Sequence, residues 1–315
     1  MNSKLSTNLL TVPSLGFRNP SNARAKLKTI SLARSDGEYG YEKQHNVEMD
    51  NDKIPKSLFK FAFENIRKEL FQKRYGFHND PYSPSSSSFS LNGPQQSKDI
   101  RKRRGYLKQL KLSNENIWIR EHKRETVPAP RVFTIGYYGV CFLMDVIYDK
   151  RPIDRFWFLE TVARMPYFSY VSTINLYETL GWWEIDGHLK KLHLDEVINE
   201  SKHLRIMESL GGDSLWWNRF LARHGAMAYY VMLVMLFMVS PRIAYMCSEM
   251  LELHAVDTYS EFYQSNELLL KEMPLTKAAT EYDPEAQTFY DVFVRIANDE
   301  KQHANTMGVM KTLKQ

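Results

Sequence analysis

The chain has 315 residues, 43% of them hydrophobic, so it is long enough and apolar enough to bury a sizeable core. Its net charge of +5 comes from the amino-terminal end: residues 1–35 hold six basic side chains and no acidic one. The other basic residues, 42 less these six, nearly balance 37 acidic ones. The positive charge is therefore no sign of nucleic-acid binding. The only cysteines, Cys141 and Cys247, exclude a disulfide framework and a cysteine metal site.

Two regions precede the apolar part of the chain. Residues 1–35 are rich in Ser, Thr and Asn besides their basic side chains, a composition typical of an organelle transit peptide; a basic disordered tail is the alternative. Residues 36–130 are interpreted as a polar, largely disordered linker and amino-terminal arm with one short amphipathic helix near 57–74. The basic cluster from Lys98 to Lys108 has no nucleic-acid recognition fold beside it, so we expect solvent or anionic lipid around it.

Residues 131–315 are predicted to form one all-α domain. Helical periodicity indicates six segments, at about 132–149, 153–181, 186–209, 214–240, 241–267 and 285–312. Pro166 predicts a kink within the second segment, and Pro241 predicts the start of the fifth.

The first and fourth segments are unusually apolar. The fourth contains fifteen residues without a charge, from Gly225 to Val239, which is too short to span a bilayer core of about 30 Å at 1.5 Å per residue. A buried core helix is the simplest interpretation of such a segment. Because a four-helix bundle needs only four helices, however, we predict that these two additional helices associate with one membrane leaflet.

Two Glu-x-x-His pairs stand one hundred positions apart, and one lone glutamate precedes each pair. Residues i and i+3 lie on one face of an α-helix, so each pair can present a carboxylate and an imidazole to the same metal ion. This order of ligands is typical of a ferritin-like four-helix bundle with a di-iron centre. The six predicted ligands are Glu160, Glu200, His203, Glu252, Glu300 and His303.

A single Glu-x-x-His arises easily by chance, so the surroundings of these residues matter. Glu200 and Glu300 both lie on apolar helix stripes, and Glu160 is a lone acid in a dense apolar run. A buried carboxylate needs a positive partner, and a metal ion is the strongest one available. The fourth helix is less clear, because Glu249 lies one turn before Glu252; the apolar stripe around Glu252 favours Glu252.

From about Phe133 to His303 the chain resembles the alternative oxidase family, and most closely its plastid terminal oxidase branch. The matching stretches are Leu159 to Phe168 (LETVARMPYF), Leu176 to Trp183 (LYETLGWW), Asn199 to Leu204 (NESKHL), Met207 to Gly212 (MESLGG), Ser240 to Arg242 (SPR), Glu252 to Tyr259 (ELHAVDTY) and Asp299 to His303 (DEKQH). Asn175 departs from the pattern, because many members of the family have histidine there, and this puts a relay through that position in doubt.

The resemblance implies a monotopic, usually dimeric membrane enzyme that reduces dioxygen to water with electrons from quinol and pumps no protons. It implies two iron ions, held by the six residues named above, and a role in electron transfer for Tyr259. Arg155, Leu159 and Thr258 match positions that line the quinol pocket, while Asn199 and Asp299 match partners of the ligands.

The branch implies plastoquinol as the favoured substrate, a homodimer, and the thylakoid membrane of a plastid as the location. Three alternatives stay open. The first is a ubiquinol oxidase of the mitochondrial inner membrane. The second is a di-iron hydroxylase, which would place oxygen in an organic product, and the third is a protein that binds iron without catalysis.

Overall fold

The computed structural model describes residues 57, 63, 67, 103, 105–183 and 187–312. The chain divides into two compact units, Met1–Leu70 and Phe71–Gln315. In the first unit, Phe63 and Arg67 are helical and exposed. The predicted transit peptide at 1–35, the basic cluster except Arg103 and residues 105–108, and most of the predicted helix at 57–74 lie outside the described residues.

The described part of the second unit is helical and contains no strand. Its helices are α1 (Asn114–Lys123), α2 (Arg131–Ile147), α3 (Pro152–Thr179), α4 (Gly187–Ser209), α5 (Trp216–Val239), α6 (Pro241–Ser265), α7 (Glu267–Glu272), α8 (Lys277–Tyr282) and α9 (Phe289–Met310). The six predicted segments correspond to α2 to α6 and α9, so the all-α fold class is confirmed.

The ends of these helices follow local rules. Ser240 caps α6 by accepting a hydrogen bond from the Ile243 N–H, and Pro241 occupies the first turn, which confirms the predicted start. Thr288 and Asp291 form a reciprocal capping box at the start of α9. Pro166 lies inside α3 without ending that helix, although it removes one backbone hydrogen bond.

Four helices, α3, α4, α6 and α9, make up the bundle. The closest packing is between α6 and α9, between α3 and α4, and between α3 and α5. Phe156 of α3 meets Phe262 of α6 with ring centroids 5.0 Å apart, and Phe262 meets Phe293 of α9 at 4.8 Å. All three rings are fully buried. Truncating one of them to alanine would cost about 3–5 kcal/mol of stability.

A tight turn brings the end of α4 against α3. Gly211 has a φ of +88°, a conformation that favours glycine. A Cβ at Gly212 would lie only 2.5 Å from the Cβ of Trp157. The Leu-Gly-Gly sequence is therefore required for the close approach of this turn to the helix that carries Glu160.

Helices α2 and α5 lie at the periphery of the bundle. Among the described residues, α5 is the one helix long and apolar enough to cross a membrane, by length and composition only, and just 22% of its apolar window is buried. Exposed apolar side chains cover one side of α2 and one of α5: Val132, Ile135, Val140, Phe142, Leu143, Val146, Met227, Val231, Met232, Met235, Met238 and Val239.

Helix α1 was missed by the sequence interpretation, which placed its residues in the polar linker. Ser113 caps it, and Ile117 is fully buried where α1 packs against α6. The helix is polar on average and is held by charged contacts, such as the ion pair of Arg120 with Glu261 at 3.3 Å. Its ordering depends on α6, about 140 residues away, so a local pattern could not show it.

Candidate metal centre

The six predicted ligands come together at the centre of the bundle. Glu160 projects from α3, Glu252 from α6, and each Glu-x-x-His pair from α4 or α9. None of the six is more than 5% exposed. The i, i+3 spacing places both side chains of a pair on the inner face of one helix.

Their donor atoms form two overlapping groups of four, and within each group all atoms lie within 4.8 Å of one another. One group, the first half-site, comprises Glu160, Glu200, His203 and Glu300; the other, the second half-site, comprises Glu200, Glu252, Glu300 and His303. Glu200 and Glu300 belong to both, so two metal ions would share these two carboxylates. Glu160 and Glu252 are the terminal glutamates.

The imidazoles point one nitrogen at the carboxylates. Nδ1 of His203 lies 3.2 Å from Oε1 of Glu300, and Nδ1 of His303 lies 2.7 Å from Oε1 of Glu200. Both Nδ1 atoms, both oxygens of Glu200 and one oxygen each of Glu160 and Glu300 are buried and have no hydrogen-bond partner within the part of the chain that the structure describes. Buried polar atoms are normally hydrogen-bonded, so this many unpartnered donors and acceptors close together indicate a site that metal ions could occupy. Carboxylates with few imidazoles suit iron that changes oxidation state.

The electrostatics of the protein groups agree with this arrangement. Burial, then the charge of Glu200, raises the pKa of Glu160 well above its usual range; burial and the charges of Glu300 and Glu200 do the same for Glu252. Desolvation disfavours charge on His203 and His303, but the surrounding carboxylates outweigh it and raise the pKa of both imidazoles. Four acids crowded together need cations, which protons or metal ions can provide.

Asp299 lies behind His203. Its Oδ2 is 3.3 Å from Nε2 of His203 and accepts hydrogen bonds from Tyr282 at 2.7 Å and Asn199 at 2.8 Å. Desolvation alone would raise the pKa of Asp299, but the hydrogen bonds from His203, Tyr282 and Asn199 lower it to about 2. The sequence interpretation placed Asn199 and Asp299 beside the ligands; in the structure Asn199 contacts Asp299 and reaches the imidazole only through it.

Tyr259 lies inside the bundle beside the first half-site. Its hydroxyl donates a hydrogen bond to Oε1 of Glu160, and its ring stacks on Phe156 with centroids 4.3 Å apart. Burial and the charge of Glu160 raise the pKa of this phenol. Phe156 was missed by sequence reasoning, because its apolar stripe indicated only a core position.

The residues predicted to line a quinol pocket lie on α3 and α6, the helices that carry Glu160 and Glu252. Leu159 is half-buried and precedes Glu160, while Thr258 is buried, precedes Tyr259 and donates a hydrogen bond to the His254 carbonyl. Arg155 is buried; it pairs with Asp145 at 2.7 Å, and its Nε–H has no hydrogen-bond partner among the described residues.

The structure also shows where two other residues discussed above, Glu249 and Asn175, lie relative to the cluster. Glu249 lies outside the cluster and pairs with Lys311, so Glu252 is the glutamate of α6 that faces the other ligands, as the apolar stripe predicted. Asn175 is exposed on α3, fifteen residues beyond Glu160, which is about 22 Å along a helix. It is therefore remote from the cluster.

Sequence reasoning missed Tyr167 and Tyr282. Tyr167 donates a hydrogen bond of 2.7 Å to Oε1 of Glu252, and Tyr282 of α8 lies 3.3 Å from Nε2 of His203. A signal for Tyr167 did exist, since it follows Glu160 by seven residues, the spacing that separates Tyr259 from Glu252. Tyr282 gave none, because α8 is a short helix remote from the ligands in sequence.

The chain is similar to known proteins over its helical part. The family model for alternative oxidases matches residues 131–312. The chain is 42% identical over 196 residues to "Ubiquinol oxidase 4, chloroplastic/chromoplastic" of Arabidopsis thaliana, covering 56% of each protein. It is 27% identical over 187 residues to "Ubiquinol oxidase, mitochondrial" of Mangifera indica, covering 58% of each. With "Alternative oxidase 2, mitochondrial" of Candida albicans the identity is 27% over 171 residues, 52% of this chain and 46% of the relative.

The chain thus spans about half the length of the curated relatives that it matches. The family match covers more than half of the chain and includes all six clustered residues. This chain belongs to the alternative oxidase family.

Proposed function

We propose that the protein is a quinol oxidase that transfers electrons from quinol to dioxygen and forms water. Two quinols lose four electrons and four protons, and one dioxygen takes them up to give two waters, so the reaction balances without another reactant. The observation that carries the proposal is the pair of overlapping four-residue groups, buried and sharing Glu200 and Glu300, in a chain of the alternative oxidase family.

The cofactor we propose is a pair of iron ions. Glu160 and His203 would hold one ion, Glu252 and His303 the other, and the shared glutamates Glu200 and Glu300 both of them. When bound, the iron pair supplies the redox chemistry that passes electrons to dioxygen. The surrounding helices exclude water from the site and keep the carboxylates and imidazoles in place.

The quinol side of the site is proposed at Arg155, Leu159 and Thr258. The ion pair with Asp145 fixes the guanidinium of Arg155, while its buried Nε–H remains free to donate to a quinol oxygen. Leu159 offers apolar surface for the ring. Leu159 lies on the same turn of α3 as Glu160, and Thr258 on the same turn of α6 as Tyr259, so a quinol bound there would lie along the two helices that carry Glu160 and Tyr259.

Tyr259 connects the two parts of the site. Its hydroxyl donates a hydrogen bond to Glu160, and its ring stacks on Phe156, which follows Arg155 in the sequence. A phenol with a hydrogen-bonded carboxylate can give up an electron and a proton together, with Glu160 as the proton acceptor. We propose that quinol electrons pass through Tyr259.

We further propose that the protein is a homodimer attached to one membrane leaflet by α2 and α5. Their exposed apolar side chains support this attachment. α5 is long enough to cross a membrane, but its charge-free part spans about 22 Å and the helix packs along α3, which favours a position in one leaflet.

For the compartment we propose a plastid, with the thylakoid membrane as the site and plastoquinol as the favoured substrate. The chloroplastic relative and the acid-free basic extension at residues 1–35 support the plastid. The word ubiquinol in that relative's name keeps ubiquinol as the second candidate.

The test is oxygen consumption by the purified protein with plastoquinol and ubiquinol analogues side by side, together with metal analysis. We expect about two irons per chain, faster turnover with plastoquinol, and two quinols oxidised per dioxygen. Oxygen found in an organic product would indicate a hydroxylase instead. Zinc, or a single iron in a fully active preparation, would contradict the di-iron centre.

Membrane attachment has its own test. Protein bound to vesicles should resist high salt and be released by detergent, because apolar contact does not depend on ionic strength. Replacing Val231 and Met235, which are exposed on α5, by glutamate should release it. Extraction of the unaltered protein by salt alone would contradict the proposal.

A further inference from the structure

Two buried tyrosines stand at matching positions relative to the two terminal glutamates. Tyr259 follows Glu252 by seven residues on α6, and Tyr167 follows Glu160 by seven residues on α3. Each reaches across to the other helix: Tyr259 donates to Glu160, and Tyr167 donates to Oε1 of Glu252 at 2.7 Å. Each terminal glutamate therefore has its own tyrosine.

Tyr167 touches a second residue of the same half-site. Its ring meets the ring of His303 edge-on, with centroids 5.5 Å apart and planes at 62°. It also packs against His193, with centroids 6.1 Å apart. The tyrosine is completely buried, so its neighbours fix the ring.

The two histidine ligands differ in their support. Nε2 of His203 lies 3.3 Å from both Asp299 and Tyr282. Nε2 of His303 has no hydrogen-bond partner among the described residues; the imidazole ring packs against the ring of Tyr167 instead. A ligating imidazole whose orientation is not fixed by an acceptor depends on packing for its direction.

We propose that Tyr167 is the positioning residue of the second half-site: its hydroxyl orients Glu252 and its ring orients His303. The inference rests on the proposed pair of metal ions. It predicts that the two ions respond differently to changes at this position, because Tyr167 contacts both terminal ligands of the second half-site and neither terminal ligand of the first.

The experiment uses the full chain, stripped of metal with a chelator and titrated anaerobically with Co²⁺, whose visible absorption reports the ligand geometry. In Tyr167→Phe the ring remains and only the bond to Glu252 is lost, so one of the two ions should bind about 10- to 100-fold more weakly. Tyr167→Leu also removes the contact with His303 and should weaken that ion further. The other ion should keep its affinity and spectrum.

Tyr170→Phe is the matched control. Tyr170 lies three residues later on α3 and is equally buried, but its hydroxyl contacts Ser248 and Ala244 and no ligand. The control should bind both ions like the unaltered protein. The Tyr167→Phe, Asp299→Asn double variant should weaken both ions, because Asp299 supports His203 in the other half-site.

The outcomes are distinct. If the unaltered chain binds fewer than two Co²⁺ ions, the proposed di-metal centre fails. If it binds two and Tyr167→Phe binds both equally well, only the role of Tyr167 fails. Loss of both ions in Tyr167→Phe, or weakening of a single ion in the double variant, would also overturn the assignment of Tyr167 to the second half-site.

Discussion

The two half-sites have the same kinds of candidate ligands but different surroundings. In the first, His203 is backed by Asp299, which is itself held by Tyr282 and Asn199. In the second, the ring of His303 packs against the ring of Tyr167, with the two planes at 62°. The first is thus supported by a charged hydrogen-bond network, and the second by packing and one phenol.

The order of a lone glutamate followed by a Glu-x-x-His pair occurs twice in the chain, and the comparison shows how far this repeat extends to other residues. The ligands, the tyrosines seven residues after the terminal glutamates, and the buried Met207 and Met307 all follow it. The support of the imidazoles does not, because Tyr282 comes from α8, which packs on α4. We therefore expect the two ions to differ in affinity although their ligands are alike.

The largest expected effect comes from a substitution that disrupts both half-sites at once. Glu200→Ala takes a ligand from both half-sites, so iron content should fall to near zero and oxygen uptake should be abolished. Metal analysis and an oxygen electrode check this. Glu249→Ala, on α6 but outside the cluster, is the control and should keep both irons. Retention of two irons in Glu200→Ala would show that this carboxylate is not shared.

Tyr259→Phe should reduce turnover without reducing metal binding. The ring stack on Phe156 is kept and only the hydroxyl on Glu160 is lost, so fold and iron content should survive while quinol-driven turnover falls by orders of magnitude. Tyr263→Phe on the same helix, whose ring contacts Tyr290, should have normal turnover. Near-normal turnover of Tyr259→Phe with unchanged iron would mean that electrons take another path.

Asp299→Asn sharpens the difference between the half-sites. The pKa of Asp299 is lowered to about 2, so the group is a carboxylate at physiological pH, and asparagine keeps its shape without the charge. We expect about 10- to 100-fold weaker binding of one ion, measured by Co²⁺ titration. An equal loss at both ions would show that Asp299 acts on the whole cluster.

The last prediction is the pH dependence of the stability of the metal-stripped protein, to which both half-sites contribute. The pKa values of Glu160, Glu252, His203 and His303 are all raised above their ordinary values of 4.5 and 6.5, so the folded, metal-stripped chain holds protons that the unfolded chain has released. Its stability should therefore fall as pH rises from 5 to 8. The slope is about 1.4 kcal/mol per pH unit for each extra proton.

Glu200 does not offset this trend, because its pKa is lowered and it is ionised in both states over that range. Thermal unfolding of the stripped and the iron-loaded protein at several pH values is the measurement. Metal ions displace the protons, so the loaded protein should show a flatter profile. A melting temperature of the stripped protein that rises from pH 5 to 8 would contradict these pKa shifts.

The sequence by itself determined the helices of the bundle and the six residues that face its centre. Apolar periodicity marks the buried face of a helix, and the i, i+3 spacing places Glu and His together on it, so both are properties of one segment. Even the choice of Glu252 over Glu249 followed from the local stripe.

Only the tertiary structure decided what supports those ligands. That Tyr167 reaches Glu252, that Tyr282 and Asp299 meet behind His203, and that α1 is ordered against α6 are all contacts between segments distant in the chain. The sequence of a helix determines which of its faces carries a side chain. Which residue that side chain contacts depends on how the neighbouring helix packs against it. The difference between the two half-sites arises at this level.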